Sequence, residues 1–183
     1  MATAKTGSFY LTETVTIPAN SVSGTRIQGV IDLGAYVNVA TGQAIAVESV
    51  DVVIQHGGSF NQFGENLAVG DVAISTQLTD LNPGTAFVRG DNQSLIASSA
   101  LNLDHTNNVL SHMMDLYPDN HGSAALSEAF MVVNDSLYLV AGSDGSTTSA
   151  ADLYVTARIK CRVAKLGTKD WMAIAIQSTA SDN

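Results

Sequence analysis

Histidines and carboxylates are the side chains most able to do chemistry, and this chain offers His56, His105, His112 and His121. A zinc centre built on local spacing needs pairs such as HxxxH, HExxH or CxxC, and none occurs. His105, His112, Asp115, Asp119 and His121 fall within seventeen positions, a nitrogen and oxygen donor set of the kind that holds divalent metals. The plainer reading, a polar loop and the solvent face of a helix, is preferred. His56 stands before Gly57-Gly58 and reads as a turn residue rather than a general base. No GxSxG nucleophile elbow and no GxGxxG or GxxxxGK[ST] phosphate cradle is present. Gly142-Ser143-Asp144-Gly145-Ser146 offers oxygens to calcium, but its lone Asp supplies little charge, and a flexible loop accounts for it better. The sequence therefore predicts no catalytic residue, no cofactor, no metal site and no enzyme.

A more telling pattern is basic. Arg158, Lys160 and Arg162 are spaced two apart, followed by Lys165 and Lys169, so five of the eight basic residues lie together in a chain of net charge -9. Neighbours two apart on a strand lie roughly 6–7 Å from one another. That is inside a Debye length of about 8 Å, so three such cations repel unless something negative faces them. The candidates are acidic residues of an adjacent strand, an adjacent subunit or an anionic membrane surface. Arg158, Lys160, Arg162 and Lys165 are thus the predicted charge and assembly stripe. Edge protection and solubility are the competing explanation.

The stripe needs a strand to carry it. In Leu153–Val163 the residues Leu153, Val155, Ala157, Ile159, Cys161 and Val163 share one face, and Tyr154, Thr156, Arg158, Lys160 and Arg162 share the other. This period of two predicts one long half-buried strand. Cys161 is the single cysteine and falls in the inward series, so it is expected to be a core residue without a disulfide. Further strands are predicted over Phe9–Ile17, with Glu13 the one break in the apolar side, over Arg26–Leu33 and over Asp71–Leu78. Ala44–Gln55 also alternates, but its phase slips near Ser49, as at a bulge or a change of sheet. Short runs follow at Ala86–Arg89 and Leu95–Ser99. Val109, Leu110, Met113, Met114 and Tyr117, ending at Pro118, have helical spacing and predict a helix within Asn107–Tyr117. A hairpin is expected from Phe130–Val133 and Leu137–Ala141 through Asn134-Asp135-Ser136, then a mobile loop over Gly142–Ser149. Trp171, Ile174 and Ala175 predict a short terminal helix capped by Thr168.

The sum is a single domain, 1–183: an all-β, antiparallel, eight-stranded jelly-roll sandwich or barrel with one or two short helices. At 14% the charged residues are few, against about 25% in ordinary domains, and small polar residues replace them. Such a surface is covered by neighbours at little desolvation cost, which favours an assembling protein. The acidic balance and the lack of an N-terminal basic arm argue against sequence-independent binding to nucleic acid, which needs clustered Lys and Arg to neutralise phosphates. No signal peptide and no membrane span are expected.

With these features together, the chain resembles a viral capsid protein of single jelly-roll type. The resemblance rests on the strand-first start SFYLTETVTIPANSVSGTRIQGVIDL, the helical insertion expected in the Leu103–Ser127 region, and the closing pair VVNDSLYLVAG…ADLYVTARIKCRVAKL. It is similar in particular to the small capsid subunits of icosahedral viruses with an internal membrane, whose β-barrels stand upright on the shell. The resemblance implies a structural protein of the virion, assembled in the host cytoplasm. Its implied partners are copies of itself, a second capsid protein and an anionic membrane surface, with no direct sequence-specific contact to nucleic acid. It also implies subunit contacts through Ser59–Gly70, Leu103–Ser127 and Gly142–Ser149. The alternative from another class is a non-enzymatic β-sandwich binding module, lectin-like or the head of a receptor-binding spike.

Overall fold

The computed structural model describes residues 2–62, 66–116 and 129–180. In chain order its strands are β1 (Thr3–Ala4), β2 (Phe9–Ile17), β3 (Thr25–Asp32), β4 (Gln43–His56), β5 (Val72–Thr79), β6 (Leu95–Asp104), β7 (Val109–Leu116), β8 (Phe130–Val132), β9 (Ser136–Gly145) and β10 (Leu153–Lys165). Helix α1 (Thr168–Ala180) follows. All the strand pairings among the described residues are antiparallel, and they make two sheets. The first has the order β2-β10-β4-β8, with β1 continuing the β2 side against the end of β10. The second has the order β3-β9-β5-β6-β7. From β2 to β5, and again from β8 to β10, each strand falls in the sheet opposite its predecessor.

One apolar cluster joins the inner faces of both sheets, from Val15, Ile45 and Ile159 on one to Ile74, Leu78 and Leu139 on the other. The alternation of β10 explains its place at the centre of the first sheet. Leu153, Val155, Ala157, Ile159 and Cys161 are fully buried, and burial of each larger side chain contributes about 1.5–3 kcal/mol. Glu13, the polar break on β2, lies over Gly29 of β3, where any side chain would meet its carboxylate. Desolvation there pushes the Glu13 carboxyl above its ordinary pKa. On the outer face of the second sheet Arg26 lies across Gly142. It donates to Ser143 O at 3.1 Å, pairs with Asp144 at 2.5 Å and stacks over Phe87 at 4.5 Å. A Cβ at position 142 would collide with Arg26 and with the Thr25 carbonyl oxygen. Gly142→Ala is therefore expected to cost about 2 kcal/mol, read as a lowered urea midpoint, because backbone and guanidinium cannot both yield.

Several expectations need correction. The helix predicted within Asn107–Tyr117 is the edge strand β7 over its described part, and Tyr117 and Pro118 lie outside the described residues. Its apolar spacing fits either period, and hydrogen bonding to β6 after a turn at Asn108 (φ 53°) decides for the strand. Phe130–Ala141 is not a hairpin, since β8 pairs with β4 whereas β9 pairs with β3 and β5. Asn134-Asp135 turns the corner between sheets, held by Asn134 Nδ2 donating to Asp80 O at 2.9 Å and Leu33 N to Asp135 O at 2.7 Å. The predicted loop at Gly142–Ser149 is strand as far as Gly145, and Thr148 is buried, its N–H donating to Ser21 O. Ala86–Arg89 forms no strand. Instead the Gln77 side-chain amide exchanges two hydrogen bonds with Val88, at 2.8 and 3.0 Å, as a strand neighbour would. At α1 the Gly167 carbonyl accepts from Trp171 N at 2.9 Å, so Gly167 rather than Thr168 holds the cap position.

Candidate functional site

The basic stripe lies on the outer face of the first sheet, along the strand with neighbours on both sides. By register Arg158 sits between Thr12 and Asp51, and Lys160 between Tyr10 and Ser49. The phase slip near Ser49 is a bulge: Lys160 pairs with Ser49 but Cys161 with Val47, leaving Glu48 as the extra residue of β4. The bulge re-aims the Glu48 side chain into the basic row. Its carboxylate accepts from Arg162 Nε, forms an ion pair with Arg162, accepts from Ser8 Oγ at 2.9 Å and lies 3.7 Å from Lys160 Nζ. The Glu48 side chain is 5% exposed and that of Arg162 18%. An acidic residue of an adjacent strand thus answers two of the three outward cations.

The remaining members of the stripe separate. Arg158 is exposed and stacks over the Tyr10 ring at 5.3 Å. Around it are Thr12, Thr14 and Thr156, with Thr14 and Thr156 sharing a hydrogen bond of 2.8 Å. Lys165 does not continue the row. It has the inward parity of Val163, and because β10 outruns the core there, its side chain emerges exposed at the end of the sandwich beside β1. Lys169 lies in the first turn of α1.

The histidines do not converge. His56 is the last residue of β4, paired with Leu153, rather than a turn residue, and its Nε2 lies 2.9 Å from Ser149 Oγ. His105 Nε2 donates to Ala68 O at 2.9 Å, in a β6–β7 turn fastened by Asp71. His112 lies on β7 opposite Leu101, several residues along the strand from that turn. Asp119 and His121 lie outside the described residues. Among the described residues no group of three His, Cys, Asp or Glu is placed to hold a metal. Asp144, the one carboxylate of the glycine-serine stretch, is paired with Arg26. Cys161 is buried, and desolvation, reinforced by the Glu48 carboxylate, pushes its thiol up to about 12.

Two features escaped sequence reasoning. The partnership of Glu48 with Arg162 was signalled only by the slipped phase. The gathering of Lys5 with Lys165 at one end had no local signal, because β1 lies about 160 residues from its partner strand and only the register joins them. Among the described residues no helix is long and apolar enough to cross a membrane. Compared with known proteins, the chain matches no family model and no curated protein.

Proposed function

We propose that this protein is a viral capsid subunit, a single jelly roll that associates with copies of itself into a closed shell. The observation that carries the reading is the strand order. The path β2-β10-β4-β8 facing β3-β9-β5-β6, with β2 to β5 and β8 to β10 alternating between the sheets, is what two nested Greek keys produce, and jelly rolls of this kind recur in capsids. β7 then extends the second sheet by one strand.

The surface supports the same reading. At one end of the sandwich the 18–24, 57–62 and 66–70 loops are tied to 146–152 by main-chain bonds such as Asn20 N to Ser149 O and Gly57 N to Asp152 O. This fastened end leaves Val22, Phe60 and Val69 exposed, and apolar groups on a rigid support suit subunit contacts. In this proposal the 59–70 segment contributes through Phe60 and Val69, and the 142–149 segment acts as their support. Arg158 over Tyr10, among outward threonines, supplies the residue types that dominate interface energetics. A second capsid protein and a lipid layer beneath the shell belong to the same proposal.

Light scattering after size exclusion, with electron microscopy of the purified chain, tests the reading. Capsomer-sized oligomers or closed particles are expected. A clean 19.1 kDa species that binds glycans would replace the capsid with the lectin-like module. Within an assembling protein, Arg158→Glu is expected to lower particle yield about tenfold by leaving a desolvated interface charge mismatched. Unchanged yield would remove Arg158 from the contact.

A further inference from the structure

The end of the sandwich opposite those fastened loops has a different character. Met131 and Ala44 point away from the core, opposite in parity to Val132 and Ile45, and α1 packs there on Ala44, Val133 and Leu166 through Trp171, Ile174 and Ala175. The helix is apolar on its other side too. Met172 and Ile176 are 55% and 62% exposed, and Lys169 precedes them at positions three and seven earlier, on the same face. Beside it, between the 38–43 turn and the start of α1, lies a groove of about 750 Å³. Leu166 and Trp171 line it together with Val39, which is 66% exposed, and with Lys5 and Lys165. The indole N–H of Trp171 is buried and meets no acceptor among the described residues. Lys5, Lys165 and Lys169 make no ion pair among the described residues, and Asp170 is the one acidic residue of the helix's first turn.

We infer that this groove and the exposed face of α1 form a docking site for an anionic phospholipid bilayer. Two cations lining the groove beside a tryptophan, a third on the adjoining helix face, and a set of exposed Met, Ile and Val side chains are what an interfacial site requires. The ammonium groups lie at headgroup level, the stems and apolar side chains reach below it, and the indole sits at the boundary. Charge complementarity favours this occupant, since the chain as a whole is strongly acidic and only a local arrangement attracts an anionic surface. The site also differs from the stripe on β10, whose Lys160 and Arg162 are already engaged by Glu48. The inference takes from the capsid reading only the presence of a bilayer beside the protein.

Trp171 is the single tryptophan, so its emission reports this groove alone. The purified full chain is mixed at low salt with vesicles of phosphatidylcholine, with or without phosphatidylglycerol. Expected are co-sedimentation with the anionic vesicles only and a blue shift of Trp171 emission, both reversed by salt. Lys5→Gln and Lys165→Gln should each weaken partitioning about fivefold. Met172→Asp with Ile176→Asp should abolish the blue shift, and far-ultraviolet circular dichroism checks that each variant is folded. Absence of binding to the anionic vesicles, or binding equal in the lysine variants, overturns the inference. A Trp171 response to glycerol phosphate without vesicle binding overturns it in favour of a free phosphate ester. A dimer lost in the Met172 and Ile176 variant, without vesicle binding, overturns it in favour of a second copy. Vesicle binding by a chain that never assembles leaves this inference standing and removes the shell. Assembly without vesicle binding does the reverse.

Discussion

Replacing Glu48 with Gln will lower the stability of the folded chain by about 3 kcal/mol, seen as a large fall in urea midpoint with little change in slope. The size follows from burial. Arg162 is mostly covered, and its guanidinium is neutralised by the Glu48 carboxylate, which also takes Ser8 and faces Lys160. A glutamine keeps the volume but removes the charge, leaving two cations side by side without the carboxylate they share. Breaking one partner of a covered pair costs about 3–5 kcal/mol, whereas removing both costs far less. Arg162→Met in the Glu48→Gln background is accordingly expected to recover about half of the loss or more, a coupling that a double-mutant cycle reads directly. Because the pair is covered, the effect should persist in high salt, where an exposed bridge would fade. Additive losses from the two substitutions would show that the cations of β10 are held by solvent rather than by the bulge.

That network shows why the sequence was legible in some places and opaque in others. The strand of Leu153–Val163 was readable because its neighbours on both sides are strands, so one face is wholly buried and the pattern is strict. The slip near Ser49 was readable as an irregularity, and its purpose was not, because Arg162 lies 114 residues away from Glu48. The β7 segment misled for the opposite reason. It is an edge strand with Val109, Leu110 and Met113 exposed, so no buried face imposes a period of two. The Asn134-Asp135 corner misled because a short polar connection looks the same whether the strands it joins pair with each other or part into different sheets. Of the stripe, the outward row Arg158, Lys160 and Arg162 followed from alternation, while Lys165 left it where β10 outruns the core. Tertiary partners, unlike periodicity, leave no mark within a local window.

Alkaline unfolding should be governed in part by Cys161. Its thiol is fully buried between Phe9 and Val47 on the neighbouring strands, and burial with the nearby Glu48 carboxylate lifts its pKa to about 12. In the unfolded chain the thiol ionises near its ordinary value of about 8.5. Below that value both states hold the proton, and the thiol adds no pH dependence. Above it the unfolded state sheds a proton that the folded state keeps, so stability falls as pH rises, by about 1.4 kcal/mol per unit, until the folded thiol itself ionises. Lysines and tyrosines titrate in the same range, and comparison with Cys161→Ala cancels them. The alanine variant should be about 1 kcal/mol less stable near neutrality, from the lost sulfur packing, and more stable than the parent at about pH 11. The two stability curves must therefore cross in the alkaline range. Curves that stay parallel would place the thiol in a polar setting, and the close alternation that buries the inner face of β10 would not hold at its centre.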